Sequence, residues 1–179
     1  GHSDVIVGLL CTTKERIKKI FSNDYMILGG VISPNDASLV LRGLRTLEIR
    51  MKKSDESCKK VVSYLQNHPK IERVIYPFAK DFPQYELAKK QMSGCGGLFS
   101  ILLKANEMKE VENFFHRLER FLFAVSWGGY ESLALPFCAF HNISGKANSS
   151  KPWNLIRFYI GLEDPDWLIA DLEQALLHL

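Results

Sequence analysis

Seven apolar side chains in register behind a proline constrain this chain more than any other feature. Ser33-Pro34-Asn35-Asp36 is a helix start: Ser33 as N-cap, Pro34 at the first helical position, and Asp36 three residues on to close a capping box. Beyond it Val40, Leu44, Leu47, Met51, Cys58, Val61 and Leu65 fall at alternating steps of four and three, with Ser54 in the one polar slot. That spacing predicts a single helix ending near Asn67, before Pro69, with one apolar stripe along it. At 1.5 Å per residue such a helix runs on the order of 50 Å, long enough to bridge two domains or a domain and a partner subunit.

Upstream, Asp4 to Leu10 reads as a buried strand. Thr12-Thr13-Lys14-Glu15 starts a helix with Ile17 and Ile20 on one face, and Gly29-Gly30 ends that unit. Downstream of the long helix, Ile71 to Tyr76 is a short strand, and Tyr85 to Met92 a short helix. Gly94-Cys95-Gly96-Gly97 turns into the strand Leu98 to Leu103. Met108 to Phe121 is an amphipathic helix, Leu122 to Ser126 a strand, and Ala139 to Lys151 a polar surface loop. Leu155 to Leu162 alternates, so that Ile156, Phe158, Ile160 and Leu162 face one way and Arg157, Tyr159 and Gly161 the other. Asp164-Pro165 caps a last helix carrying Leu168, Leu172, Ala175 and Leu176. From about residue 70 the interleaved strands and helices imply an open sheet with helices on one face.

Several function classes are disfavoured by composition. At 179 residues, 46% hydrophobic and 24% charged, the chain has the make-up of a globular protein with a real core. Its net charge of +3 comes from scattered basic pairs (Lys18-Lys19, Lys52-Lys53, Lys59-Lys60, Lys89-Lys90) and not from one stripe, which argues against nucleic acid. Cys11, Cys58, Cys95 and Cys138 lie far apart, which fits reduced thiols in a cytoplasmic protein better than a disulfide framework or a zinc site. No run of about 20 apolar residues predicts a membrane span.

The candidate site is Ser126-Trp127-Gly128-Gly129-Tyr130-Glu131-Ser132, with Arg157 about thirty residues later. Paired glycines admit close backbone approach. Ser126 and the Trp127 indole N–H are donors, and the planar Arg157 fork matches a carboxylate. Together they suit the carboxylate end of an amino acid. Plainer readings stay open for each residue alone: a solvated arginine on an open sheet face, a packing tryptophan, a hairpin turn, and a helix-capping Glu131.

In order, these residues resemble the small-domain signature of the Cys/Met-metabolism pyridoxal-phosphate enzymes, and the tryptophan form is similar to bacterial cystathionine β-lyases. The resemblance extends through Ser33-Pro34-x-Asp36, Arg42 to Leu47, His68-Pro69, Ser93-Gly94-x-x-Gly97-Leu98-Phe99-Ser100, Leu155 to Asp164, and Leu168 to Leu172, covering essentially the whole chain. It implies an α/β protein with an α+β small domain, the carboxy-terminal part of a fold-type I enzyme. The sheet is expected to be open and mostly antiparallel, with helices on one face plus a long linking helix. Residues 1–43 would be the tail of the large cofactor-binding domain and the start of the linking helix, and 44–179 the small domain.

Gly1-His2-Ser3-Asp4 also matches the family, where this tetrapeptide follows the lysine that holds pyridoxal phosphate. The resemblance therefore places that lysine upstream of Gly1, leaves no catalytic residue in this chain, and implies that the chain alone is inactive. It implies pyridoxal 5'-phosphate bound mainly by the preceding half, with an amino-acid substrate, that N-terminal half and a homotetramer as partners. Arg157 would hold the substrate α-carboxylate, flanked by Ser126 and Trp127. Val125 sits where relatives vary and looks onto the distal arm of the substrate, giving it an apolar surface. The implied activity is β-elimination of cystathionine to homocysteine, pyruvate and ammonia. The alternatives are another enzyme of the family (a cystathionine γ-lyase or synthase, or a methionine γ-lyase) or a non-catalytic interaction fragment.

Overall fold

Apolar residues meet opposite fates in the two parts of the chain. The computed structural model describes residues 1–179 and separates them into two units, Gly1–Glu48 and Ile49–Leu179. In the first unit the Thr13 hydroxyl accepts from the Arg16 amide at 3.4 Å and opens α1 (Lys14–Ile20). A π-helical turn, Phe21–Tyr25, leads into α2 (Met26–Leu28), which ends at Gly29 with φ +63°. The Ser33 hydroxyl accepts from the Asp36 amide at 3.1 Å and opens α3 (Pro34–Leu44), the cap expected there. None of these helices buries a residue.

Two expectations fail in this region. Asp4 to Leu10 is not a buried strand: it is irregular, with Ile6 102% and Leu9 90% exposed. An apolar run becomes a strand only by pairing with a neighbour, and no strand of this chain pairs with it. The long helix is not continuous either. It is interrupted at Arg45-Thr46, where the Thr46 amide bonds to the Gly43 carbonyl at 3.3 Å, and resumes as α4 (Leu47–Gln66). A glycine followed three residues on by a β-branched threonine is the weakest helical stretch along the stripe. Leu44, Leu47 and Met51 lie exposed, and burial begins at Ser54.

In the second unit Cys58, Val61, Val62 and Leu65 of α4 are buried in the main core. The sheet contains β1 (Ile71–Ile75), β2 (Leu98–Leu103), β3 (Leu122–Phe123), β4 (Leu133–Pro136) and β5 (Leu155–Tyr159) in the order β1-β2-β5-β4-β3. Every pairing is antiparallel except that of β3 with β4. Phe99 pairs with Phe158 and Ile101 with Ile156, so these side chains share one face, and the two phenyl rings stack at 5.5 Å. That face is covered by α4, by Val111 and Phe114 of α6 (Met108–His116), and by Leu168, Leu172, Ala175 and Leu176 of α7 (Pro165–Leu176). A further short helix, α5 (Tyr85–Gln91), follows β1. The result is the mixed α/β architecture expected: an open, mostly antiparallel sheet with helices on one face.

Smaller differences have local causes. The helix expected to reach Phe121 stops at His116, because the Glu119 and Arg120 amides donate to the buried Asp171 carboxylate at 3.0 and 2.9 Å. β3 has two residues instead of five. β4 is unforeseen: all four of its residues are buried, so it lacks the alternation that marks a strand. No helix is long and apolar enough to cross a membrane.

Candidate functional site

β5 lies at the centre of the sheet, and its alternation sends Ile156 and Phe158 to the helices and Arg157 to the opposite face. Register aligns Arg157 with Ser100 of β2 on one side and Leu135 of β4 on the other. The loop following β3 curls over this row. Arg157 Nη2 donates to the carbonyl oxygens of Val125 and Ser126, the latter at 3.2 Å. Its guanidinium carbon lies 5.4 Å from the centre of the Trp127 ring, within cation–π range. Partial burial pulls the Arg157 pKa below its ordinary value, yet a guanidinium keeps its proton at any physiological pH.

All four residues singled out in the sequence, Val125, Ser126, Trp127 and Arg157, therefore come together. They do so in an unexpected way: Ser126 engages Arg157 through its backbone carbonyl and Trp127 through its ring face, not through hydroxyl and indole N–H. Arg157 is not a solvated arginine. Val125 and Trp127 are 65% and 62% exposed, so the loop presents them outward beside the charge.

Further residues fix the loop, and nothing in the sequence assigned them that task. Tyr159, two residues beyond Arg157 on the same face, donates its hydroxyl to the Gly129 carbonyl at 3.0 Å. The Leu162 amide donates to the Tyr130 carbonyl at 2.8 Å. Glu163 accepts from the amide and hydroxyl of Ser132, and Gly128 takes φ +83°. The signal that marks Ser132 is a small polar residue directly before the apolar run Leu133-Ala134-Leu135-Pro136: once buried there, its hydroxyl requires partners.

The side-chain donors of Arg157, Ser126 and Trp127 are a guanidinium, a hydroxyl and an indole N–H. They suit a carboxylate. None is an amine able to form an imine with an aldehyde, so the set does not fit a cofactor's point of attachment through such a bond.

The fold is a mixed α/β domain that carries a half-buried guanidinium on the face of its sheet away from the helices. Over residues 1–177 the chain matches the Cys/Met metabolism PLP-dependent enzyme family, and it belongs to that family. Pyridoxal phosphate is thereby its cofactor. It is 42% identical over 180 residues to the cystathionine gamma-lyase of Sus scrofa, an alignment covering 98% of this chain and 44% of that protein. With the L-methionine gamma-lyase of Pseudomonas deceptionensis it shares 39% identity over 181 residues, 98% of this chain and 45% of that protein. The human cystathionine gamma-lyase is 38% identical over 185 residues, with 98% and 44% covered. The chain thus spans less than half the length of these relatives. The expectation of a Cys/Met metabolism PLP-dependent enzyme therefore holds at the family level; all three relatives carry γ-lyase names, and the narrower β-lyase assignment taken from Trp127 finds no support in them.

Proposed function

We propose that this chain supplies the substrate-carboxylate grip of a pyridoxal-phosphate-dependent carbon–sulfur lyase, and that the whole enzyme carries out γ-elimination on a sulfur amino acid. The observation that carries this reading is Arg157, held on the central strand by the Val125 and Ser126 carbonyls and roofed by Trp127. The family and the γ-lyase names of its relatives support the reaction class. When bound, pyridoxal phosphate supplies the electron sink that such eliminations require.

This chain's own contribution is binding and orientation. Arg157 Nη2 is committed to two backbone carbonyls, which fixes the plane of the fork. The Nε–H and Nη1 N–H groups are left for the substrate α-carboxylate. Pinning that carboxylate fixes the Cα–H direction, and orientation of this kind accounts for a large part of such barriers. Trp127 shields the ion pair from water on one side. Val125 gives the distal arm of the substrate an apolar neighbour without charge, which favours a thioether such as methionine over the zwitterionic arm of cystathionine.

Products distinguish the readings. γ-Elimination with hydrolysis leaves 2-oxobutanoate, ammonia and a thiol, whereas β-elimination leaves pyruvate, ammonia and a thiol. The full-length enzyme is expected to release 2-oxobutanoate; pyruvate as the sole oxoacid overturns the γ reading. Arg157→Lys replaces the fork by a point charge, and kcat/KM is expected to fall by about 10- to 100-fold. Full activity of that variant removes Arg157 from the grip.

A further inference from the structure

Glu163 directs both carboxylate oxygens at one residue. Oε1 accepts from the Ser132 amide at 2.7 Å and Oε2 from the Ser132 hydroxyl at 2.8 Å. That hydroxyl oxygen in turn accepts from the Gly161 amide at 2.9 Å, and Ser132 is fully enclosed, with 0% exposure. Beside this knot the Leu162 amide bonds to the Tyr130 carbonyl at 2.8 Å, and the Tyr159 hydroxyl to the Gly129 carbonyl at 3.0 Å. The segment leaving β5 therefore ties down the end of the loop at residues 129–132, while Arg157 holds its beginning at Val125 and Ser126.

Burial of apolar side chains does little to place this loop. Trp127 and Tyr130 are 62% and 56% exposed, and no strand or helix runs between Phe123 and Leu133. Two adjacent glycines add backbone freedom. The position of the loop over Arg157 thus depends on polar ties at its two ends. The tie at Ser132 is the buried one, with three hydrogen bonds closing a ring between the loop and the end of β5.

We propose that the Ser132–Glu163 pair is a positioning clamp for the carboxylate grip. It holds the Val125–Tyr130 loop where the two backbone carbonyls meet Arg157 Nη2 and Trp127 covers the guanidinium. Ser132 and Glu163 touch no substrate; they act through the loop on Arg157. The proposal rests on the reading of Arg157 given above, and the test separates the two.

In the full-length enzyme, Glu163→Gln, Ser132→Ala, their double variant and Arg157→Lys are compared with wild type. The readouts are kcat and KM for L-methionine and L-cystathionine, together with amide hydrogen exchange by mass spectrometry in the absence of substrate. Glu163→Gln turns an amide nitrogen toward one of the two Ser132 donors, and KM is expected to rise about tenfold with kcat within about twofold. Exchange should rise in peptides covering 125–132 and 159–163, with β2 and α7 unchanged. Because both residues form one device, the double variant should raise KM no further than Glu163→Gln alone. A raised KM in Arg157→Lys with none in Glu163→Gln or Ser132→Ala overturns the clamp and leaves the grip intact. An unchanged KM in all variants overturns both. Faster exchange spread evenly over the sheet and α7, with additive KM effects, reduces the pair to general stabilisation and also overturns the clamp.

Discussion

A β-carbon on Gly161 would sit 2.2 Å from the Tyr130 carbonyl oxygen and 2.6 Å from the Glu131 carbonyl carbon, both backbone atoms. Neither can rotate aside, so a methyl group there forces the loop and the end of β5 apart. Gly161→Ala is expected to lower unfolding free energy by about 1–3 kcal/mol, read as a lower urea midpoint. Gly8→Ala meets nothing within 4 Å and should leave the midpoint unchanged. Equal midpoints for both variants would mean that the close approach is not rigid. The same contrast shows what the sequence reveals at this scale. Alternation of Ile156, Phe158 and Ile160 is a local pattern and placed Arg157 on the face away from the core. The demand on Gly161 arises only because residues 130–132 return to it in space, and the bond of Glu163 to Ser132 spans 31 positions with no periodic trace. The groups proposed to bind are legible in the sequence; the groups that hold their loop are not.

Elements whose stabilisation is local are legible in the sequence, and α7 is the clearest case. Asp164 Oδ1 accepts from the amides of Asp166 and Trp167 at 2.8 and 3.2 Å, Pro165 takes the first helical position, and Leu168, Leu172, Ala175 and Leu176 are buried as the spacing requires. Elements that need a partner are not legible in the same way. Asp4 to Leu10 has strand composition and no strand beside it, β4 has neighbours on both sides and no alternation, and α6 yields its last turns to the Asp171 carboxylate. A matched pair of caps tests this distinction. Asp164→Ala should cost about 1 kcal/mol of unfolding free energy, because α7 is part of the core that unfolds cooperatively. Ser33→Ala removes the same kind of cap from α3, which buries no residue. It should reduce the helical circular-dichroism signal without moving the urea midpoint followed by aromatic signals. Equal midpoint shifts in the two variants would mean that α3 unfolds together with the second unit.

Across the molecule, burial also sets the pH range of stability. Cys58 and Tyr76 are 0% and 3% exposed, and desolvation raises both of their pKa values, as it does for Tyr159. Unfolding releases these groups to their ordinary values, 9.0 for a cysteine and 10.0 for a tyrosine. Below those values both states hold the protons and the stabilisation is fully present. Above them the unfolded chain sheds protons that the folded chain keeps, so stability must fall as pH rises. Each group contributes a slope of at most about 1.4 kcal/mol per pH unit. His68 acts on the other side. Desolvation lowers its pKa from 6.5, and its Nδ1 accepts the Lys70 amide at 3.2 Å, so its contribution is present above that pH and lost as pH falls through it. Urea midpoints should therefore form a plateau near neutrality, with an alkaline decline beginning at about pH 9. Cys58→Ala should sit lower on that plateau, because it leaves a small cavity, and decline less steeply by about one proton. If wild type and Cys58→Ala decline in parallel, the Cys58 thiol is not a source of the alkaline slope, and the tyrosines together with Cys95 and Cys138, whose pKa values burial also raises, must carry it.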